Sequence, residues 1–235
     1  NLQEVFSRPI YQTAIRNSLS LTIFSSVLGI VLVFITSMAL YRTQNKFKSV
    51  YMSMLTLTSN FTGIPLAYSF ITILGYTGVF VQIGKQIGLD LLANFDLYTI
   101  AGLGFLYIYF QLPMGTLLLL PAFEGIHKEW QESAELMSAS PFQFWIKVGV
   151  PVMMPSILGT FTMLFANALT AYATPYLLTG ASVPILPIKV ADLFVGDLRS
   201  RPELGSALSL VLLATMLIVI VLSNLVKRAF MKGEK

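Results

Sequence analysis

No cysteine occurs among the 235 residues, so neither a disulfide framework nor a thiolate metal site can form. The single histidine, His127, cannot build a histidine-rich metal centre. Charge is scarce too: 11% of residues are Asp, Glu, Lys or Arg, against about 25% in soluble domains. What fills the space is apolar. A hydrophobic fraction of 55% and a mean hydropathy of +0.75 exclude an ordinary water-soluble domain and require most of the surface to face lipid. The net charge of +4 would suggest nucleic acid only if Lys and Arg clustered on a polar domain. Here they flank apolar stretches, so the charge is topological and no nucleic-acid partner is expected.

Division at the charged residues leaves five long uncharged windows, 17–41, 49–84, 97–123, 148–188 and 204–226. Each exceeds the ~20 residues that a helix needs to cross a bilayer. The second window predicts one crossing over 50–75, because the stretch after Gly75 is glycine-punctuated and too short to span. The fourth predicts one crossing between Pro155 and Pro175. The fold class is therefore an all-α membrane protein with five visible transmembrane helices.

Basic residues set the orientation. With the link between the first two helices in the cytoplasm, Arg42, Lys46, Lys48, Lys128, Lys147, Lys227, Arg228, Lys232 and Lys235 lie inside. Arg8, Arg16, Lys85, Lys189, Arg199 and Arg201 lie outside, and nine against six satisfies the positive-inside rule. The N-terminus is then outside and the C-terminus inside. An odd number of crossings with an outside start, in a chain that opens on Asn1, predicts a sixth, N-terminal helix ahead of these five. Residues 1–17 carry no signal-peptide pattern.

None of the predicted spans contains Asp, Glu, Lys or Arg. Ion-coupled carriers bind the driving ion on intramembrane ionisable groups, so a self-powered secondary transporter is disfavoured and the energy must come from elsewhere. Gly78, Gly84, Lys85 and Gln86 have the wrong glycine spacing for a phosphate-binding loop and lack its Ser/Thr.

The informative segment is the connection 121–151, far longer than two neighbouring helices require. Its first helix, about 127–138, carries Ile126, Trp130, Ala134 and Met137 as an apolar stripe, with Lys128, Glu129, Glu132 and Glu135 on other faces. A second helix begins at Ser140, where serine, Pro141 and Gln143 spell a capping box with proline at the first helical position. From periodicity alone, this pair is either a partner-binding device or an amphipathic loop on lipid headgroups.

The run Glu132-Ser133-Ala134, then Ala139-Ser140-Pro141, then Trp145, Val148, Val150, Pro151 and Pro155 resembles the EAA motif of type I ATP-binding-cassette importer permeases. Ser133 stands where the family has its first alanine, and Ser138 where it usually has glycine. Asn17-Ser18-Leu19, Ala173-Thr174-Pro175 and the stretch 177–180 are similar to the same family, nearest the subgroup for polyamines, ferric iron, thiamine, sulfate and aminoethylphosphonate. The resemblance implies the type I permease fold, six helices in all. It also implies an extracytoplasmic segment 1–17, a permease domain 18–228 containing a cytoplasmic coupling loop 121–150, and a cytoplasmic tail 229–235. The loop would dock on a separate ATPase subunit, with Glu132 as its polar contact, Ala134, Ala139 and Trp145 as packing positions, and Ser138 and Pro141 shaping the bend. Glu132 would otherwise be a solvated carboxylate paired with Lys128, worth about 0.3–0.5 kcal/mol.

Implied partners are two ATPase subunits, a second identical or homologous permease, and an extracytoplasmic solute-binding protein on the outer loops, including 189–203. ATP and magnesium would belong to the ATPases, and this chain would bind no cofactor and perform no catalysis. The solute is expected to be small and polar: a polyamine first, then ferric iron, thiamine or aminoethylphosphonate. A membrane scaffold recruiting a cytoplasmic partner is the alternative.

For the solute path, Thr160, Asn167, Thr170 and Thr174 are expected on one face of the fourth helix, apart from Phe161, Phe165, Tyr172 and Tyr176. Such a face points into the protein or into water. The threonines suit interhelical packing, at about 0.6 kcal/mol per bond, and Asn167 suits the path. Tyr107, Tyr109 and Gln111 are further candidates, since tyrosine faces can hold a cation.

Overall fold

The computed structural model of the chain describes residues 2–43, 46–180, 182–195 and 201–232. Among them there is no strand. A short α1 (Leu2–Ser7) leads into α2 (Pro9–Arg42), followed by α3 (Lys46–Asn60), α4 (Ile64–Leu74), α5 (Val79–Ile87), α6 (Asp90–Ala93) and α7 (Ile100–Glu124). After the small helices α8 (Lys128–Leu136) and α9 (Pro141–Phe144), a π turn over Trp145–Gly149 runs into α10 (Val150–Thr170). The chain closes with α11 (Ala173–Thr179), α12 (Leu186–Val195) and α13 (Pro202–Lys232). Five stretches are long and apolar enough to cross a membrane: Pro9–Arg42, Ile64–Ile87, Ile100–Glu124, Pro141–Thr170 and Pro202–Ala229. The second is not the expected 50–75: it starts at Ile64 and runs on through α5, the glycine-punctuated stretch that was expected to be too short to span.

α2 begins at Pro9, inside the segment expected to precede the first helix. Charged residues mark where the hydrocarbon ends, whereas a helix can continue beyond it. The 34 residues of α2 reach about 51 Å against a ~30 Å core. Along α2, Ser18, Thr22, Ser25, Gly29, Val33 and Ser37 recur every three or four residues, and all are buried. This small-residue stripe lets α7 approach closely and in parallel, Leu21 lying at the level of Gly104 and Val33 at that of Gly115. A Cβ on Gly29 would collide with the Gln111 amide.

The expected single helix over 50–75 is broken. Thr58, Ser59 and Asn60 turn their side chains back onto their own helix, bonding the carbonyls of Met54 and Thr56 at 2.8–2.9 Å. Gly63 then adopts φ +72°, which glycine alone enters without steric cost. Pro65 lies in the first turn of α4, where its missing N–H is tolerated. Both pieces run antiparallel to α7. Leu55 packs with Leu120, and Lys48 Nζ donates to Glu124 Oε1 at 2.7 Å, whereas Leu66, Phe70 and Leu74 pack with Leu103, Leu106 and Phe110 at the far end.

A second difference concerns proline. α10 runs straight through Pro155, which was expected to precede the helix. The ring removes one hydrogen bond, and in a bilayer leaving the helix would strand more backbone groups than continuing it. At its other end α10 stops at Thr170, so Thr174 belongs to α11 and no continuous polar face reaches it. α12 is pinned at the Pro9 end of the bundle: Leu186 N donates to Ser18 Oγ at 2.7 Å and Asn17 Nδ2 to the Pro184 carbonyl at 3.0 Å. Phe161 and Phe165 of α10 face a groove shared with Ile218 and Leu222 of α13, and Thr162 Oγ1 donates to Ser223 Oγ at 2.8 Å.

Candidate coupling loop and solute path

α8 and α9 stand at the Arg42 end of the bundle, joined by a bend fixed from both sides. Met137 caps α8. The Ser138 N–H donates to the Glu135 carbonyl at 2.8 Å and the Ala139 N–H to the Ala134 carbonyl at 3.0 Å. These two bonds form a Schellman motif, whose left-handed position is usually glycine. Ser138 occupies it with φ +60°. One residue later the expected capping box is present: Gln143 N donates to Ser140 Oγ at 3.3 Å, and Ser140 N to Gln143 Oε1 at 2.8 Å. Ala134 and Ala139 lie within this bend and line a cavity of about 310 Å³ with Tyr41, Glu135, Pro141 and Trp145.

Trp145 is 8% exposed. Its ring lies 5.5 Å from Phe123 of α7 and 6.3 Å, edge on, from Tyr41 of α2, so the loop is tied into the ends of two crossings. Glu132 is exposed and takes part in none of the ion pairs among the described residues, Lys128 included. The expected apolar stripe is only half realised. Ile126 is buried and Ala134 half-buried, whereas Trp130 is 40% and Met137 84% exposed. Leu136 at 89% and Phe142 at 74% exposure complete an apolar tip that sequence reasoning missed; the signal was that both fall off the stripe yet remain large and apolar.

The residues proposed for a path separate into two groups. Asn167 and Thr174 line a cavity of about 190 Å³ with Thr62, Gly63, Phe110 and Tyr172. Thr174 Oγ1 donates to the Gly63 carbonyl at 3.1 Å, and Asn167 Nδ2 points at Met114 Sδ, 3.2 Å away, in the middle of α7. Thr170 is exposed and bonds the Ala166 carbonyl of its own helix at 2.8 Å. The other group is packing. Thr160 is buried; Tyr107 is 1% exposed against Phe110, ring centroids 5.1 Å apart; Gln111 is fully buried and donates to Ser25 Oγ at 3.2 Å. Tyr109 is partly exposed and packs 4.9 Å from Phe70. Thr62 and Gly63 were absent from the expected set; the Gly-x-Pro run after a Ser/Thr/Asn cluster was their signal.

At the opposite end Arg201 clamps Glu4, its two Nη atoms lying 2.7 and 3.1 Å from the carboxylate oxygens. These hydrogen bonds, with the charges of Arg201 and Arg8 behind them, hold the Glu4 carboxyl below the usual carboxylate range. Part of the outer segment 189–203 expected to meet a binding protein, residues 196–200, lies outside the described residues. No group of three metal-ligating side chains occurs among the described residues.

Five candidate spans with a braced helix pair at one end define a multi-pass membrane protein. The family described as binding-protein-dependent transport system inner membrane component matches residues 8–233, and the chain belongs to it: a multi-pass inner-membrane permease of a binding-protein-dependent importer, from a family that is not catalytic. The spermidine/putrescine transport system permease protein PotC of Escherichia coli (strain K12) is 26% identical over 221 residues, covering 94% of this chain and 76% of the relative. The probable sulfate transport system permease protein cysT of Prototheca wickerhamii is 23% identical, covering 91% and 80%. Among solved structures, a bacterial ABC transporter involved in import of the acidic polysaccharide alginate matches with a TM-score of 0.80 at 18% identity, covering 96% of this chain and 82% of that one. A bacterial alginate ABC transporter in complex with an alginate pentasaccharide-bound periplasmic protein matches with the same TM-score of 0.80, at 17% identity, covering 96% and 81%.

Proposed function

We propose that this permease imports a small cationic solute, a polyamine first, with a second permease beside it and two cytoplasmic ATPase subunits that hydrolyse ATP on their own bound nucleotide and magnesium. The loop end of the bundle faces the cytoplasm, in keeping with the basic residues gathered there, and a solute-binding protein docks at the Pro9 end. The PotC relative supports the polyamine, while the cysT relative marks how far the family's solutes range.

One observation carries the coupling role: the exposed α8–α9 pair presents Glu132 and an apolar tip to solvent while Trp145 roots it in α2 and α7. An ATPase seated on Glu132, Leu136, Met137 and Phe142 would push on a braced bend whose far side is the membrane bundle. Ala134, Ala139, Ser138 and Pro141 serve the shape of that bend. In vesicles holding the complete complex, Glu132→Ala removes a charge-assisted contact of about 1.5–3 kcal/mol and should weaken ATPase association roughly tenfold or more. Pro141→Gly should leave hydrolysis but reduce ATP-dependent spermidine uptake. Normal uptake and normal solute-stimulated hydrolysis in both variants reject the coupling role; ATPase binding without uptake of any solute favours a scaffold.

A further inference from the structure

α2 and the helical run that begins at Pro141 leave a groove of about 330 Å³ between them at the loop end of the bundle. Phe34, Met38 and Arg42 form its α2 wall at steps of four residues, one stripe along the helix axis. Phe142, Ile146 and Val150 form the other wall. Arg42, Phe142 and Ile146 are exposed, and Phe34, Met38 and Val150 are half-buried, so the groove opens to the outside of the chain and not into its core. Its depth in the bilayer follows from charge. Arg42 is the first charged residue after the uncharged run 17–41 and marks where the hydrocarbon ends, while Phe34 lies two helical turns, about 12 Å, further in.

One end of the groove is thus cationic and the rest apolar. Arg42 takes part in none of the ion pairs among the described residues, and no carboxylate among them lines the groove. Glu135 lines the neighbouring cavity of the loop bend, which shares Arg42, Pro141 and Trp145 with the groove, but it makes no ion pair with the guanidinium. The C-terminus of α2 brings the negative pole of a helix to the mouth and the run starting at Pro141 brings a positive one. These oppose each other, so Arg42 sets the sign. Volume limits the occupant: a helix about 10 Å across would fill about 900 Å³ over the same length, whereas a single acyl chain is a narrow rod. Basic pockets between membrane helices at headgroup level are where anionic lipids settle.

We infer that this groove holds one anionic phospholipid, its phosphate on Arg42 and an acyl chain laid along Met38 and Phe34 against Ile146 and Val150. The site is separate from any solute path and needs only that α2 and α10 lie in a bilayer. A zwitterionic lipid with the same chains gains less at Arg42, because its ammonium offsets the phosphate charge. Inorganic phosphate makes the Arg42 contact alone and draws nothing from the apolar walls. Since Pro141 and Trp145 wall both the groove and the bend cavity, a seated lipid also braces the root of the α8–α9 pair.

Native mass spectrometry of the purified membrane complex, titrated in detergent with phosphatidylglycerol or with phosphatidylcholine of the same chains, tests the site apart from transport. Phosphatidylglycerol should be retained the more tightly, and inorganic phosphate should not displace it. Arg42→Gln should weaken phosphatidylglycerol about five- to tenfold and remove its advantage over phosphatidylcholine, whereas Arg42→Lys should keep most of that advantage. Met38→Trp fills the apolar wall with Arg42 in place and should weaken both lipids. Arg228→Gln removes an exposed cation of α13 at the same end and should change neither. Complex assembly, followed by size exclusion, should be unchanged in all four. Equal retention of the two lipids by wild type, equal losses in Arg42→Gln and Arg228→Gln, displacement by inorganic phosphate, or wild-type retention in Met38→Trp overturns the site. So does a wild-type complex that retains no lipid and falls apart in Met38→Trp, since the groove then belongs to a protein partner.

Discussion

The backbone N–H of Ala139 meets the carbonyl of Ala134 at 3.0 Å, and the residue folded between them, Ser138, pays for this closure with a φ of +60°. A left-handed conformation costs an L-residue about 1 kcal/mol that glycine does not bear. Ser138→Gly should therefore raise the stability of the loop by about 0.5–1 kcal/mol, seen as a higher melting temperature of the complex, while Ser138→Val should lower it. A lower melting temperature for the glycine variant would remove the strain argument.

Trp145 is the point where loop and membrane bundle meet. Trp145→Ala empties a buried aromatic site and should cost about 3–5 kcal/mol, lowering complex stability and ATP-dependent uptake together. Trp145→Phe keeps a ring against Phe123 and Tyr41 and should recover most of both. Equal losses in the two variants would show that the ring contacts are not what matters.

The Glu4 clamp makes a prediction with a definite sign. Because its folded pKa is depressed by Arg201, its contribution is complete above the unfolded carboxylate range and is lost as pH falls through the lower folded value. The melting difference between wild type and Glu4→Gln should thus be present at neutral pH and vanish once the pH is brought below the depressed range of the folded carboxyl. A difference independent of pH would mean that the clamp contributes nothing as a charged pair.

Sidedness is testable on intact cells with an impermeant thiol reagent, since the chain has no cysteine of its own. Cysteine replacing Lys85 on α5 should label, and cysteine replacing Lys46 at the start of α3 should not. Labelling at Lys46 would invert the bundle. Arg199 and Lys235, expected outside and inside respectively, lie beyond the described residues.

Local signals were readable wherever one or two residues dictate backbone geometry. Ser140, Pro141 and Gln143 announce a helix start because their chemistry fits nothing else so well, and the capping box is present. Crossing number followed from charge, which a bilayer excludes whatever the packing. Misreadings arose where tertiary context decides. A hydropathy window averages across Gly63 and hides the break that Thr58–Asn60 and Pro65 spell out. Pro155 looked like a boundary because proline ends helices in water, where exposed carbonyls find other partners. Tyr107 and Gln111 are buried, and because α7 is apolar on all sides, periodicity could not say which of its faces meets α2. Only packing places Gln111 against Ser25 and Gly29.

The π turn at Trp145–Gly149 acts as a phase shifter. Widening one turn to i→i+5 bonds is equivalent to inserting a single residue into an α-helix, and it opens the space in which the Trp145 ring lies over Gly149, so close that a Cβ there would fall 2.5 Å from the indole. Every residue downstream inherits that insertion. Rewinding the turn to regular α-helix at the same chain length would rotate the rest of α10 by about 100° relative to α9. Asn167, some twenty residues away, would then swing from the cavity toward a different neighbour without being touched.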